Sequence, residues 1–249
     1  MFFTGNFIAA AVTEEDLFGQ ALEDYLNGRR YKLKMERDDG FLDEQNMAFY
    51  FKEFDEFPES EKKGLRYAKG RVLDIGVGAG RAAIHLQEKG HEVLGIDISD
   101  KALEVCRKRG VKWLSNMSAC DLRLKKDSFQ TAIAFFNNFG LCGTMDRAAK
   151  MLERLHRIVV DDGLFLAESV DPTDTKKRVH LKYHQLNRER GRPVGQVTLR
   201  THYRGRVGGW WDLLLVTPDE MRALCARTGW RIWRTCRGGP MIVYVLKKA

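Results

Sequence analysis

Cysteine is scarce in this chain and follows no pattern. The five thiols at Cys106, Cys120, Cys142, Cys225 and Cys236 form no C-x-x-C and no cysteine–histidine spacing of the kind that holds a metal. An odd count without close pairs argues against a disulfide framework and predicts reduced, mostly buried thiols, as found in the cytoplasm. Long apolar runs are missing too. No stretch reaches the roughly 18 residues of a membrane span, and no basic segment leads into a sustained apolar one at the start, so neither insertion nor export is expected. Proline is limited to five residues, and neither an internal repeat nor a low-complexity linker divides the chain. Its 249 residues suit one α/β domain with an elaboration.

Charge is plentiful and unevenly spread. The net charge of +8 sits in the C-terminal half: 14–61 is rich in acids, whereas 176–206 and 222–237 are dense in Lys and Arg. An anionic substrate or a solvated face would each account for the excess.

The densest signal lies at Val72-Leu-Asp-Ile-Gly-Val-Gly-Ala-Gly-Arg81. It reads as an apolar strand, an acid near its end, three glycines in five residues, and a helix beginning at Arg81. Glycine at positions 76, 78 and 80 permits positive φ and close backbone approach, and the helix that follows would direct its N-terminal N–H groups at a ligand. A second strand, 91–96, ends in Asp97, where an acid can meet ribose hydroxyls. Together these predict a nucleoside-cofactor site. The dinucleotide fingerprint would put its third glycine at 81, which is Arg81, and does not require the acid at Asp74.

The D-x-G-x-G-x-G pattern from Asp74 to Gly80, followed by the acid at the next strand end, resembles the first two motifs of class I S-adenosylmethionine-dependent methyltransferases. The resemblance covers about 65–170 and is most specific in the glycine motif. It implies a Rossmann-like α/β fold: a seven-stranded, mostly parallel sheet with an antiparallel last strand and helices on both faces. It also implies S-adenosylmethionine as cofactor. On that reading the cofactor-binding residues are Asp74, Gly76, Gly78, Gly80, Arg81, Asp97, Ile98, Asn116, Met117 and Asn137. Asn116 stands where the family more often has Asp, and Asp121 is an alternative for the same contact. The family's Asn-Pro-Pro-Tyr variant, used on exocyclic amines of bases, is Asn137-Asn138-Phe139-Gly140 here, without the prolines.

Around that core, 1–64 is expected to form a helical lid. Its parts are an amphipathic helix over 14–28 capped by Thr13, a turn at 37–43, and an aromatic-rich segment from Met47 to Phe57 read as a helix packed on the sheet or a cover for the cofactor. The cofactor core would span 65–170. From 171 to 216 the connection is too long for a loop and predicts a substrate cap, with a helix over 179–190 and a strand over 196–204 that pairs with 210–216. The remainder, 217–249, supplies a helix opened by the capping sequence Thr217-Pro-Asp-Glu220 and a final hairpin. Tyr50, Asn138, His184 and His202 are candidate acceptor contacts, and Tyr183 and His184 candidate general bases, histidine titrating near neutrality.

The expected activity is methyl transfer by in-line displacement to a nitrogen or oxygen of a small-molecule acceptor, without metal, in the cytoplasm. The basic segments leave an RNA or protein acceptor as the alternative, and the absence of a catalytic signature leaves a non-catalytic cofactor-binding scaffold.

Overall fold

The computed structural model describes residues 15–249. Thr13, expected as the first helix cap, lies outside the described residues. The first helix, α1 (Leu17–Leu26), is instead capped by Asp16, whose carboxylate accepts from the Gly19 N–H at 2.8 Å. A hairpin follows, β1 (Leu33–Arg37) and β2 (Leu42–Gln45), then two short 3-10 turns over Met47–Phe51 and Phe54–Glu56, and α2 (Glu59–Leu65). The core continues as β3 (Val72–Ile75), α3 (Arg81–Glu88), β4 (Val93–Asp97), α4 (Asp100–Lys108), β5 (Trp113–Asn116), β6 (Phe129–Ala134), a 3-10 turn over Asn138–Cys142, α5 (Met145–Ile158) and β7 (Val159–Val170). Then come α6 (Arg178–Glu189), β8 (Gln196–Tyr203), β9 (Arg206–Val207) and β10 (Trp211–Leu214), and finally α7 (Pro218–Arg227), β11 (Trp230–Gly238) and β12 (Met241–Lys248).

Seven strands form one sheet in the order β11-β12-β7-β6-β3-β4-β5. The pairs β3–β4, β4–β5, β3–β6 and β6–β7 are parallel, and β12 runs antiparallel to both its neighbours. Such a sheet must be covered on both faces, which is why β3 is buried at every position and β6 at all but one. On one side α5, α7 and Trp230 close a core that includes Leu152, Phe165 and Tyr244. On the other, α2, α3 and α4 bury Leu86, Cys106 and Val243. Each of these fully buried side chains contributes about 2 kcal/mol of transfer free energy, so the sheet and its covering helices carry most of the fold's apolar stabilisation.

The N-terminal region departs from the helical reading. Between α1 and α2 the chain makes the β1–β2 hairpin, closed at Arg37–Phe41 by the Arg37 N–H on the Phe41 carbonyl at 2.8 Å. The aromatic run from Met47 is two separate 3-10 turns, because Lys52 and Glu53 between them are extended.

A second sheet brings this hairpin together with the expected cap: β10-β8-β1-β2, with β9 added beside β8. The pairing of β8 with β10 through the 205–209 connection is as predicted; the pairing of β8 with β1, about 165 residues away, is not something either segment announces. It also explains the uneven charge. Glu36 accepts from Arg200 at 2.7 Å and is 2.5 Å from His202, Asp38 pairs with Arg190 at 2.7 Å, and Arg204 meets Asp24 at 3.2 Å. The acid-rich start and the basic 176–206 segment neutralise each other. The second sheet meets the core where Gly140 touches β10: a Cβ there would lie 1.9 Å from the Leu214 carbonyl oxygen, so only glycine permits this approach.

Candidate functional site

A cavity of about 1080 Å3 lies between the carboxyl ends of the core strands and the inner face of the second sheet. Open parallel sheets gather ligands at this end because the strand–helix turns converge there. Gly76, Gly78 and Gly80 all adopt positive φ, at 70°, 55° and 80°. A Cβ added at Gly78 would meet nothing nearer than 3.9 Å and would project into the cavity, so this position leaves room for a ligand.

Four amides of the turn itself are spent within the protein. Gly76 and Val77 donate to the Ile96 carbonyl at 2.9 and 3.0 Å, Gly80 to Val77 at 2.8 Å, and Gly78 to an Asp97 carboxylate oxygen at 3.0 Å. The second Asp97 oxygen accepts from the Ser99 N–H at 3.0 Å. These four donors are therefore used within the protein, and carboxylates stand beside them at the cavity. Asp74 and Asp97 both line it, and burial pushes both carboxyls up. Asp74 reaches about 7, the neighbouring Asp97 and Glu61 adding to the burial effect and Arg81 opposing it. Two acids held above their ordinary range favour a ligand with positive charge and give no welcome to a pyrophosphate.

Arg81 lines the cavity, but its guanidinium donates to Glu61 at 2.6 Å and lies over the Phe57 ring at 4.4 Å. Glu61 and Glu168 are both fully buried, an arrangement invisible in the sequence because the two belong to α2 and β7. Glu168 accepts from the Phe136 N–H at 2.5 Å, and burial beside Glu61 raises its carboxyl. It thereby fixes the turn after β6 that carries Phe136 and Asn137, both of which have positive φ.

At that turn Asn137 accepts from the Val170 N–H at 2.7 Å, and Asn138 donates to the Ile75 and Gly76 carbonyls at 3.0 and 2.7 Å. Both line the cavity, each with one end of its amide spent on joining neighbouring strand ends. Ile98 and Met117 line it as well. Asn116 does not: its amide turns to Asp100 at 2.6 Å and to the Ile98 carbonyl. Asp121 is held by Arg123 and Arg154 away from the cavity. The stretch that reaches the cavity is Ser118, Ala119 and Cys120, one turn further along, and the strand-end residue Asn116 drew attention away from it.

Of the candidates on the acceptor side, Tyr50 packs its ring on Phe18 and Phe136 at 5.2 and 4.8 Å and comes within contact of Gly78. Tyr183 lines the cavity through its ring, but its hydroxyl donates to Asp38 at 2.7 Å and accepts from the Thr198 N–H at 3.2 Å. Burial and that acid raise the phenol, which does not suit a general base. His202 sits on the far face of β8, because alternate residues 197, 199 and 201 take the cavity side and His202 bonds Glu36. His184 is buried, lines the cavity and makes no hydrogen bond among the described residues. One turn before it, His180 takes a hydrogen bond on Nδ1 from Arg37 at 3.1 Å, a residue pair sequence reasoning missed. Among the described residues no group of three or more side chains could hold a metal, and no helix is long and apolar enough to cross a membrane.

Comparison with known proteins points to the same chemistry. A family model described as a methyltransferase domain matches residues 72–163. The crystal structure of an S-adenosylmethionine-dependent methyltransferase from Bacteroides fragilis, in complex with S-adenosyl-L-homocysteine, superposes with a TM-score of 0.81 at 25% identity, covering 95% of this chain and 96% of that one. The CcbJ methyltransferase of Streptomyces caelestis shares the fold, with a TM-score of 0.60 and 16% identity over 81% of this chain and 98% of its own. A 41-residue stretch is 46% identical to the putative methyltransferase YqeM of Bacillus subtilis, 16% of this chain and 17% of that protein's length. Residues 72–163 thus carry a methyltransferase domain, and the chain has the fold of S-adenosylmethionine-dependent methyltransferases over nearly its whole described length.

Proposed function

We infer that the protein transfers a methyl group from S-adenosylmethionine to a nitrogen or oxygen of a small-molecule acceptor held in the 1080 Å3 cavity. The observation that carries this is the enclosure of the cofactor acids by the second sheet: Asp74, Asp97, Met35 and Leu199 line one space. A ribose would lie against Asp97, the methionine ammonium near Asp74, and the adenine along Met117 to Cys120. When bound, the cofactor supplies a methyl carbon on a positively charged sulfur. The Bacteroides protein, whose structure holds the corresponding product, supports this choice.

The chain's own part is alignment. Asn137 and Asn138 fix the strand ends beneath the transfer point, while Tyr50, Phe136 and Trp211 exclude water from it. Placing acceptor and methyl in line and dry supplies most of the acceleration that such a displacement needs. We take 1–64 as the lid and 171–216 as the acceptor-selecting cap. An RNA acceptor is disfavoured by the ion pairs that neutralise the basic segment. The test is calorimetry with S-adenosylhomocysteine, followed by transfer of labelled methyl into a cell extract. Binding that is lost on Asp97→Ala, together with label in small molecules, is the expected result. Label confined to RNA or protein would overturn the small-molecule reading, and binding without any transfer would favour a scaffold.

A further inference from the structure

Two buried acids behind the cavity have no task in the reaction described above. Glu61 on α2 and Glu168 on β7 are fully buried, and neither lines the cavity. Each carboxyl has one oxygen accounted for: Glu61 Oε1 accepts from the Arg81 guanidinium at 2.6 Å, and Glu168 Oε2 from the Phe136 N–H at 2.5 Å. The other two, Glu61 Oε2 and Glu168 Oε1, are buried without a partner among the described residues. Yet the two carboxyl groups lie within hydrogen-bond reach of each other. Two carboxylates cannot bond, because both only accept, whereas a carboxyl can donate to a carboxylate. One proton between them gives each acid the partner it lacks; without it, two buried charges of one sign face a single arginine.

Both acids converge on one residue of the cavity wall. Glu168 holds Phe136 by its amide, and the Phe136 ring lies 5.1 Å from the guanidinium that Glu61 holds and 4.8 Å from the Tyr50 ring. The φ of Phe136 is 60°, in the left-handed region that a bulky side chain avoids, and Asn137 follows at 64°. A strained turn of this kind persists only where its neighbours hold it, and such turns gather at functional sites.

We propose that Glu168 keeps a proton and donates it to Glu61, and that this buried pair acts as a positioning device, holding Phe136 in place at the transfer point. The role of Phe136 in transfer rests on the methyltransferase reading above. Glu168 touches neither cofactor nor acceptor and acts through the turn after β6. The charged groups that face it are Glu61 from α2 and Arg81 from α3; on β12 its partner is the apolar Val243, and Asp74 on β3 in turn faces Glu61 and Arg81. Burial and then Glu61 push the Glu168 carboxyl up to about 8, against the Phe136 N–H and Arg81. With the proton in place the two acids carry one negative charge, which Arg81 cancels. When it leaves, two negative charges press on each other in the interior, and the turn that carries Phe136 loses its fixed point.

Infrared spectra test the proton without any ligand. Asp74→Asn removes the acid that burial raises to about 7, and at pH 7 this variant should show an acid carbonyl band that fades as pH rises through about 8. The double variant Asp74→Asn with Glu168→Gln should lack that band. A band absent from Asp74→Asn at pH 7, or unchanged in the double variant, overturns the shared proton. Positioning is read by calorimetry with S-adenosylhomocysteine; a preparation that binds none overturns the methyltransferase reading and the positioning role with it, while the infrared result stands by itself. Glutamine at 168 copies the protonated acid, accepting from Phe136 and donating to Glu61. The affinity of Glu168→Gln relative to wild type should therefore be close to one at pH 7 and about tenfold higher at pH 9, where the wild-type pair has ionised and the amide has not. A ratio that stays constant with pH, or Glu168→Gln as weak at pH 7 as Glu168→Ala, overturns the positioning role. Glu61→Gln gives up the charge that holds Arg81 and should weaken binding several-fold at both pH values; unchanged affinity would remove the Arg81 arm from the device.

Discussion

The two sheets of this protein are held together by different means. The seven-stranded sheet is mostly parallel, covered on both faces and built around apolar central strands, so its stability comes from removing side chains such as Leu73, Ile133 and Phe165 from water. The second sheet is antiparallel, assembled from segments about 165 residues apart, and joined across its outer face by Glu36, Arg200 and His202. One sheet fixes where Asp74 and Asp97 stand. The other closes the space above them. The lesson is that apolar burial holds the larger sheet in place, whereas the second sheet adds charge pairs on its outer face to a smaller apolar cluster that includes Leu22, Leu33 and Tyr203.

That contrast can be broken most severely from the core. Trp230→Ala removes a fully buried indole whose N–H donates to the Leu152 carbonyl at 2.9 Å, and should lower unfolding free energy by about 3–5 kcal/mol in denaturant titration. Asp97→Ala strands the Gly78 and Ser99 amides and should weaken S-adenosylhomocysteine binding at least 100-fold, about 3 kcal/mol by calorimetry, with the thermal transition shifted far less than by the tryptophan change. Retained affinity would remove Asp97 from the ribose site.

Glu168 sharpens the comparison through pH. Its carboxyl is raised from 4.5 to about 8 by burial beside Glu61, so the folded state holds the proton more tightly than the unfolded chain. That contribution to stability is complete below about 4.5 and is lost as pH rises toward 8. Glu168→Gln should flatten the wild-type decline across this interval, each pH unit of which is worth at most about 1.4 kcal/mol. An unchanged slope would show that Glu168 is ionised in the folded protein. Asp74 gives a binding counterpart: with its carboxyl at about 7, affinity for the cationic cofactor should rise severalfold between pH 6 and 8, and Asp74→Asn should abolish that dependence. The smallest effect belongs to the second sheet. Arg200→Ala should cost less than about 1 kcal/mol, since its partner Glu36 keeps His202 and the pair is partly exposed; a loss as large as that of Trp230→Ala would reverse the comparison.

Particular residues show what could be read in advance. The strand, glycine turn and helix from Val72 to Glu88 are local, and Asp97 follows at the next strand end, so two acids that line the cavity were legible. Strands β1 and β2 were not. Leu-Lys-Met-Glu-Arg and Leu-Asp-Glu-Gln are short, charged and poor in β-branched residues, and they become strands because β8 offers a partner. Tyr183 and His202 failed as candidates for the same reason: the first spends its hydroxyl on Asp38, the second faces outward by the alternation of β8. Asn116 was misplaced by a single turn of chain, Ser118 to Cys120 being the residues that reach the cavity.

By itself the sequence determined the parallel core and its glycine turn, because strand, turn and helix preferences act over neighbouring residues and bring Asp74 within reach of Asp97 in any α/β sheet. Only the tertiary structure decided the wall that the second sheet adds to the cavity. Its acids and His184 come from segments that meet through long-range pairing, and whether a charge is cancelled or left facing a cavity depends on which distant partner the fold supplies.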